Sequence, residues 1–73
     1  MKKTIHTAEH KALIERLKEA RRKSNLSQFQ VAQKLGCSQS YISKIESGDV
    51  RVDTVELNRF AKMYGKDIKY FVG

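Results

Sequence analysis

Proline and tryptophan are absent from this 73-residue chain, glycine occurs four times and cysteine once. Without proline nothing forces a break in a helix, and so few glycines leave little material for the turns of a sheet-built fold. One cysteine excludes an internal disulfide and fits a reducing compartment, the cytoplasm. No run approaches the roughly 18 apolar residues of a membrane span. The start of the chain carries Lys2 and Lys3 but lacks the apolar stretch of a signal peptide. A chain of this size hides only about 60% of the surface its unfolded form exposes, so a deep catalytic pocket has little room. Also missing are a Gly-rich phosphate loop, paired carboxylates in an apolar setting and a Cys-His-acid constellation, and no enzymatic activity and no cofactor is expected.

Positive charge is what the chain has in excess. Fifteen Lys and Arg against eight Asp and Glu give a formal +7, which attracts a polyanion and steers it at long range. Charge alone does not say which polyanion, and a solvated basic surface is the plain alternative. With 40% apolar residues the composition is that of one folded, all-α domain. A basic arm is expected over 1–7 and a single domain over 8–73.

Periodicity and end signals divide that domain into five helices. From Ala8 to Lys23, Leu13, Leu17 and Ala20 recur at spacings of four and three, and the helix should stop near Ser24 and Asn25, since Asn tolerates the left-handed conformation that closes a helix. Ser27 with Gln30 reads as a capping box opening a short helix through Leu35, ended by Gly36. Ser38 can cap a third helix running to about Ser47, with Ile42 and Ile45 as its buried stripe and Gly48 at its end. Asp53 with Glu56 reads as another capping box, ahead of a fourth helix carrying Leu57, Phe60, Ala61 and Tyr64 before Gly65. Asp67 can cap a last turn holding Ile68 and Phe71.

The segment Gln28 to Ser47 meets the steric demands of a helix-turn-helix. Ala32 is small enough for two helices to cross closely, Gly36 supplies the positive φ of the tight turn, and Val31, Leu35, Cys37, Ile42 and Ile45 are apolar where such a unit buries side chains. Ser40, Ser43, Lys44 and Ser47 form a polar stripe pointing away from Ile42 and Ile45, as any surface helix would also show.

The stretch "LSQFQVAQKLGCSQSYISKIESG" resembles the Cro/cI-type (XRE) helix-turn-helix family of phage repressors and bacterial regulators. Leu17, Ala20 and Arg21 upstream, and Leu57, Phe60, Ala61, Tyr64, Gly65, Ile68 and Phe71 downstream, fall where that family places its core, so the resemblance runs from about 17 to 71. It implies a lambda-repressor-like bundle of five helices, with the helix-turn-helix made by helices 2 and 3. It also implies sequence-specific binding to double-stranded DNA, with the third helix in the major groove and Gln39, Ser40, Ser43 and Lys44 toward base edges. Gln pairs with adenine N6 and N7, and Lys reaches guanine O6 and N7; the two serines can touch a base, a phosphate or only water.

Gln28 matches the family's phosphate-binding glutamine, beside Ser27 at the start of helix 2; Ser47 matches a second clamp, to which Arg51 adds charge. Tyr41 has two readings, a hydroxyl on a phosphate or a half-buried packing ring. Arg22, Lys23 and Lys34 extend the basic rim or are simply solvated. Arg21 and Glu46 match a family salt bridge of structural role, and Cys37 is read as core. Two positions depart from the pattern: Val52 stands where a proline is common, and Lys66 replaces a small apolar residue between helices 4 and 5.

His6 and His10 stand four apart, a spacing that can hold a metal, but without a nearby cysteine or carboxylate cluster no metal site is expected. The rival function is a protein-binding module such as an antitoxin or bridging factor, with a toxin or polymerase as partner. An acidic or apolar third-helix face would favour that reading, whereas this face is polar with one lysine. RNA binding would call for more stacking aromatics. Regulators of this size act on palindromic operators as homodimers, and Tyr70 and Val72 in the C-terminal segment are left over for a two-fold contact or for core packing.

Overall fold

Across the first four helices, each boundary is marked by a side chain or a backbone twist that ends the hydrogen-bond ladder. The computed structural model describes residues 7–72, and all regular structure among them is helical. The expected arm over 1–7 lies outside the described residues except for Thr7, as does His6. The helices are α1 (Ala8–Lys23), α2 (Gln28–Leu35), α3 (Gln39–Glu46), α4 (Thr54–Tyr64) and α5 (Ile68–Val72). Thr7, Ser27, Ser38 and Asp53 each accept a hydrogen bond from the backbone N–H three residues on, relieving one orphan donor per helix.

The connections are equally local. Asn25 adopts φ 59°, and the N–H groups of Asn25 and Leu26 turn back onto the carbonyls of Arg22 and Arg21 at 3.0 and 3.2 Å, closing α1. Gly36 at φ 73° closes α2 in the same way, with the Cys37 N–H donating to the Ala32 carbonyl at 3.0 Å. Around Ser27 both halves of the capping box form, at 3.0 and 2.8 Å. Around Asp53 one half forms: its carboxylate accepts the Glu56 N–H at 2.8 Å, while the Glu56 carboxylate lies 3.8 Å from the Arg59 guanidinium and makes no reciprocal bond.

Buried side chains from all five helices meet in one core, with Leu17, Val31, Ile42 and Ile45 fully enclosed. Each such aliphatic side chain contributes about 1.5–3 kcal/mol of burial free energy. Helix α2 packs on α3, α1 packs on α3, α4 and α5, and α4 packs on α5. On α1 the residue that enters the core is Ile14, whereas Leu13 is only partly buried. Cys37 and Val52 are likewise half-buried against the core.

Tyr70 fastens α5 to α1 instead of standing free. Its carbonyl accepts from Arg16 Nη1 at 2.7 Å, its hydroxyl donates to Glu19 at 3.2 Å, and its ring lies under the Arg16 guanidinium and the Lys66 ammonium, 5.4 and 4.8 Å from the centroid. Lys66 thus serves the docking of α5 through its charge. Val72 is exposed.

Candidate nucleic-acid interface

The site is built on α3, whose apolar face is sealed by Ile42 and Ile45 and whose other side carries Gln39, Ser40, Ser43 and Lys44, all exposed. A helix with 3.6 residues per turn that buries positions 42 and 45 must turn 40, 43 and 44 outward. Lys44 has no salt-bridge partner among the described residues, so its ammonium is available to a ligand.

Orientation of this helix depends on a polar clasp at its end. Arg21 donates from Nε to one Glu46 oxygen at 2.8 Å and from Nη2 to the other at 3.0 Å, and its Nη1 donates to the Leu26 carbonyl at 3.0 Å. Glu46 is 8% exposed, so the carboxylate is close to fully desolvated and depends on these donors. The hydrogen bond to Glu46 raises the Arg21 pKa above the ordinary guanidinium value, outweighing desolvation. Nearby, burial first and the Glu46 charge second push the Tyr64 phenol well above its usual range.

The expected phosphate contacts fall into different situations. The backbone N–H groups of Gln28 and Phe29, at the start of α2, have no acceptor among the described residues. Ser27 uses an oxygen lone pair for its cap, which leaves its hydroxyl proton to donate. The Gln28 side chain is half-buried and gives one amide proton to Glu46 Oε1 at 3.1 Å, leaving the second for another acceptor. By contrast the Ser47 hydroxyl already donates to the Lys44 carbonyl at 2.9 Å, and the backbone N–H groups of Ser47, Gly48 and Asp49 close α3. Arg51 is exposed, with no salt bridge among the described residues.

Tyr41 is half-buried with its ring against the core, and burial first, then the Glu56 and Asp53 carboxylates, raise its pKa. Of the outlying cations, Lys23 is paired with Glu19 at 3.2 Å, while Arg22 and Lys34 are exposed.

Two features escape sequence reasoning. Arg59 of α4 donates to the Leu35 carbonyl and so satisfies the end of α2, a long-range contact with no local signal. Phe29, beside Gln28, is 54% exposed, where the helical period alone gives no reason for an aromatic side chain. Among the described residues no group of three His, Cys, Asp or Glu is placed to hold a metal ion, and His10 Nε2 is buried without a partner. No helix among the described residues is long and apolar enough to cross a membrane.

No curated protein matches the chain. A family model described as a helix-turn-helix domain matches residues 12–67, well over half of the sequence, from the second turn of α1 to the turn before α5. With α2 and α3 packed together across the Gly36 turn inside that span, the chain belongs to the helix-turn-helix domain family.

Proposed function

We propose that this chain is a transcriptional regulator of the Cro/cI (XRE) type that binds double-stranded DNA sequence-specifically, as a non-enzymatic protein of the cytoplasm or nucleoid. The carrying observation is that α3 presents Gln39, Ser40, Ser43 and the unpaired Lys44 outward while its C-terminal end is clasped by Arg21. A recognition helix needs such a rigid mount, because base-edge hydrogen bonds discriminate only when donors and acceptors arrive in register. In this reading α3 lies in the major groove, with Gln39 and Lys44 as the main base readers. The start of α2, through Ser27, Gln28 and the Phe29 N–H, grips a phosphate; Arg51, with Ser47 and Tyr41 as lesser contributors, holds the backbone elsewhere. The excess positive charge supplies long-range attraction and salt-sensitive affinity.

Such a domain reads few base pairs, so the operator is a palindrome whose half-sites lie about 34 Å apart, and the working unit is a homodimer. Of the two residues left over for the two-fold contact, Tyr70 is engaged with α1 and Val72 remains exposed.

The test is selection from a pool of random duplex DNA at two salt concentrations, with the wild type beside Gln39→Ala/Lys44→Ala. Enrichment of a short palindrome that the double variant no longer selects, while its salt-sensitive background binding persists, is the expected result. Weak, sequence-blind binding by the wild type would sink the regulator reading and favour a protein partner.

A further inference from the structure

A groove of about 330 Å³ lies between α1 and α5, and its walls include Glu9, Ala12, Leu13, Arg16, Phe71 and Val72. Most of this lining is apolar, and Val72 is 62% exposed along it. At its two ends stand opposite charges two helical turns apart, Glu9 and Arg16, both exposed and neither in a salt bridge among the described residues.

The order of these residues on α1 is self-complementary. A two-fold axis perpendicular to α1 and passing beside it, level with the midpoint of Ala12 and Leu13, matches position 12 with the partner's 13 and position 9 with the partner's 16. Two antiparallel copies of α1 then set the small Ala12 against the partner's Leu13, and the Glu9 carboxylate against the partner's Arg16, twice over. Along the axis Glu9 and Arg16 are about 10 Å apart, a spacing that the same helix in the second copy reproduces in reverse. Small against large at the centre permits the close approach of about 8–10 Å that packed helices adopt. Arg16 keeps Nε and Nη2 for this contact while Nη1 holds the Tyr70 carbonyl. Isologous pairing of one patch with itself is the commonest route to a closed dimer.

We propose that the α1–α5 groove is the self-pairing surface of this protein, occupied by the same groove of a second copy with Glu9 of each protomer against the partner's Arg16. Val72, exposed in the single chain, flanks the paired α1 helices and loses water on association, beside the already buried Phe71. The proposal rests on the homodimer reading above and is measured without DNA, so the two can fail separately.

Sedimentation equilibrium on wild type, Glu9→Arg, Arg16→Glu, and an equimolar mixture of the two variants tests it. Each variant alone sets like charges together at both pairs and should dimerise about tenfold more weakly than wild type. In the mixed pair every introduced charge meets an opposite one, and association should return to within about threefold of wild type. Loss of the Arg16–Tyr70 bond is common to the pure Arg16→Glu sample and the mixture and does not mimic the recovery. Val72→Glu, at an exposed site in the last turn, should abolish the dimer while leaving the thermal midpoint of dilute protein unchanged. A wild type that stays monomeric to millimolar concentration overturns the proposal and leaves the groove to a different partner. So does a mixture that associates no better than its components, or a Val72→Glu variant that still dimerises. A dimer of this kind that selects no DNA sequence sinks the regulator reading instead.

Discussion

Gln28 Nε2 donates to Glu46 Oε1 at 3.1 Å, fastening the first residue of α2 to the last residue of α3. The same carboxylate takes two bonds from Arg21 on α1, so one buried group gathers donors from two other helices. Its position at the C-terminal end of α3 is unfavourable for an anion in itself, since the helix dipole is negative there. The guanidinium offsets both that and the burial. Apolar packing is non-directional and tolerates small rotations of a helix; hydrogen bonds to a fixed carboxylate do not. The clasp therefore sets the rotation of α3, and with it the aim of Gln39 and Lys44.

Arg21→Ala should destabilise the protein by about 2–3 kcal/mol, at or just under the usual cost of stripping the partner from a buried ion, because Arg21 retains some contact with water. Thermal unfolding should show a midpoint lower by about 10–20 °C. Replacing both partners by Met should bring stability back to within about 1 kcal/mol of wild type. DNA affinity of that double variant should stay depressed; full recovery of both would reduce the clasp to a packing contact.

Arg51→Ala and Gln28→Ala separate charge from register. Removing the Arg51 cation should lower the slope of log K against log salt by about 0.9 and leave sequence preference intact. Gln28 is neutral, so its loss should weaken binding to all sequences with no change in slope. Equal slopes for Arg51→Ala and wild type would place that guanidinium away from the phosphates.

Asn25 holds φ 59° in the turn between α1 and α2. Asn25→Ala should cost about 1 kcal/mol through the clash of Cβ in the left-handed region, and Asn25→Gly should be close to neutral. Urea denaturation of the three proteins side by side tests this, and an Ala variant as stable as wild type would contradict the turn geometry.

Alkaline pH should unfold the protein in a way that Tyr64 helps to cause. Burial raises its folded-state pKa, so once pH passes the ordinary phenol value of about 10 the unfolded chain has released a proton that the folded chain keeps. The unfolded state then binds fewer protons, and stability falls as pH rises, with no contribution from this group at lower pH. The Cys37 thiol and the Tyr41 phenol, also raised chiefly by burial, act with the same sign. Tyr64→Phe should therefore make the decline of the urea midpoint above about pH 10 shallower than in wild type. An unchanged decline would mean that this phenol reaches water.

The parts of the fold legible in the sequence are those governed by interactions within three to six residues. Ser27 with Gln30, Asn25, Gly36 and the caps at Ser38 and Asp53 announce where helices begin and end, because the groups they satisfy lie in the same turn. The outward placement of Gln39, Ser40, Ser43 and Lys44 follows from the helical period once Ile42 and Ile45 are taken as buried. The Arg21–Glu46 pair, 25 positions apart, is marked in the sequence only by resemblance to a known family and not by periodicity.

Sequence alone thus determined the number of helices, their ends, the tight Gly36 turn and the surplus of positive charge, since each depends on local sterics or simple counting. Tertiary structure decided the rest. Leu13 and Ile14 are neighbours on α1 about 100° apart around the axis, and only the angle at which α1 meets its partners sends Ile14 inward and leaves Leu13 at the groove. Glu56 makes no reciprocal bond to the Asp53 N–H, its carboxylate lying on the Arg59 side, and Arg59 in turn satisfies the end of α2. Tyr70, interchangeable in the sequence with Val72 as a surface residue, is drawn onto α1 by Arg16, Glu19 and the charge of Lys66. Each of these outcomes is a choice among partners brought together by chain segments distant in sequence, and which partner wins depends on distances that exist only after the helices have packed.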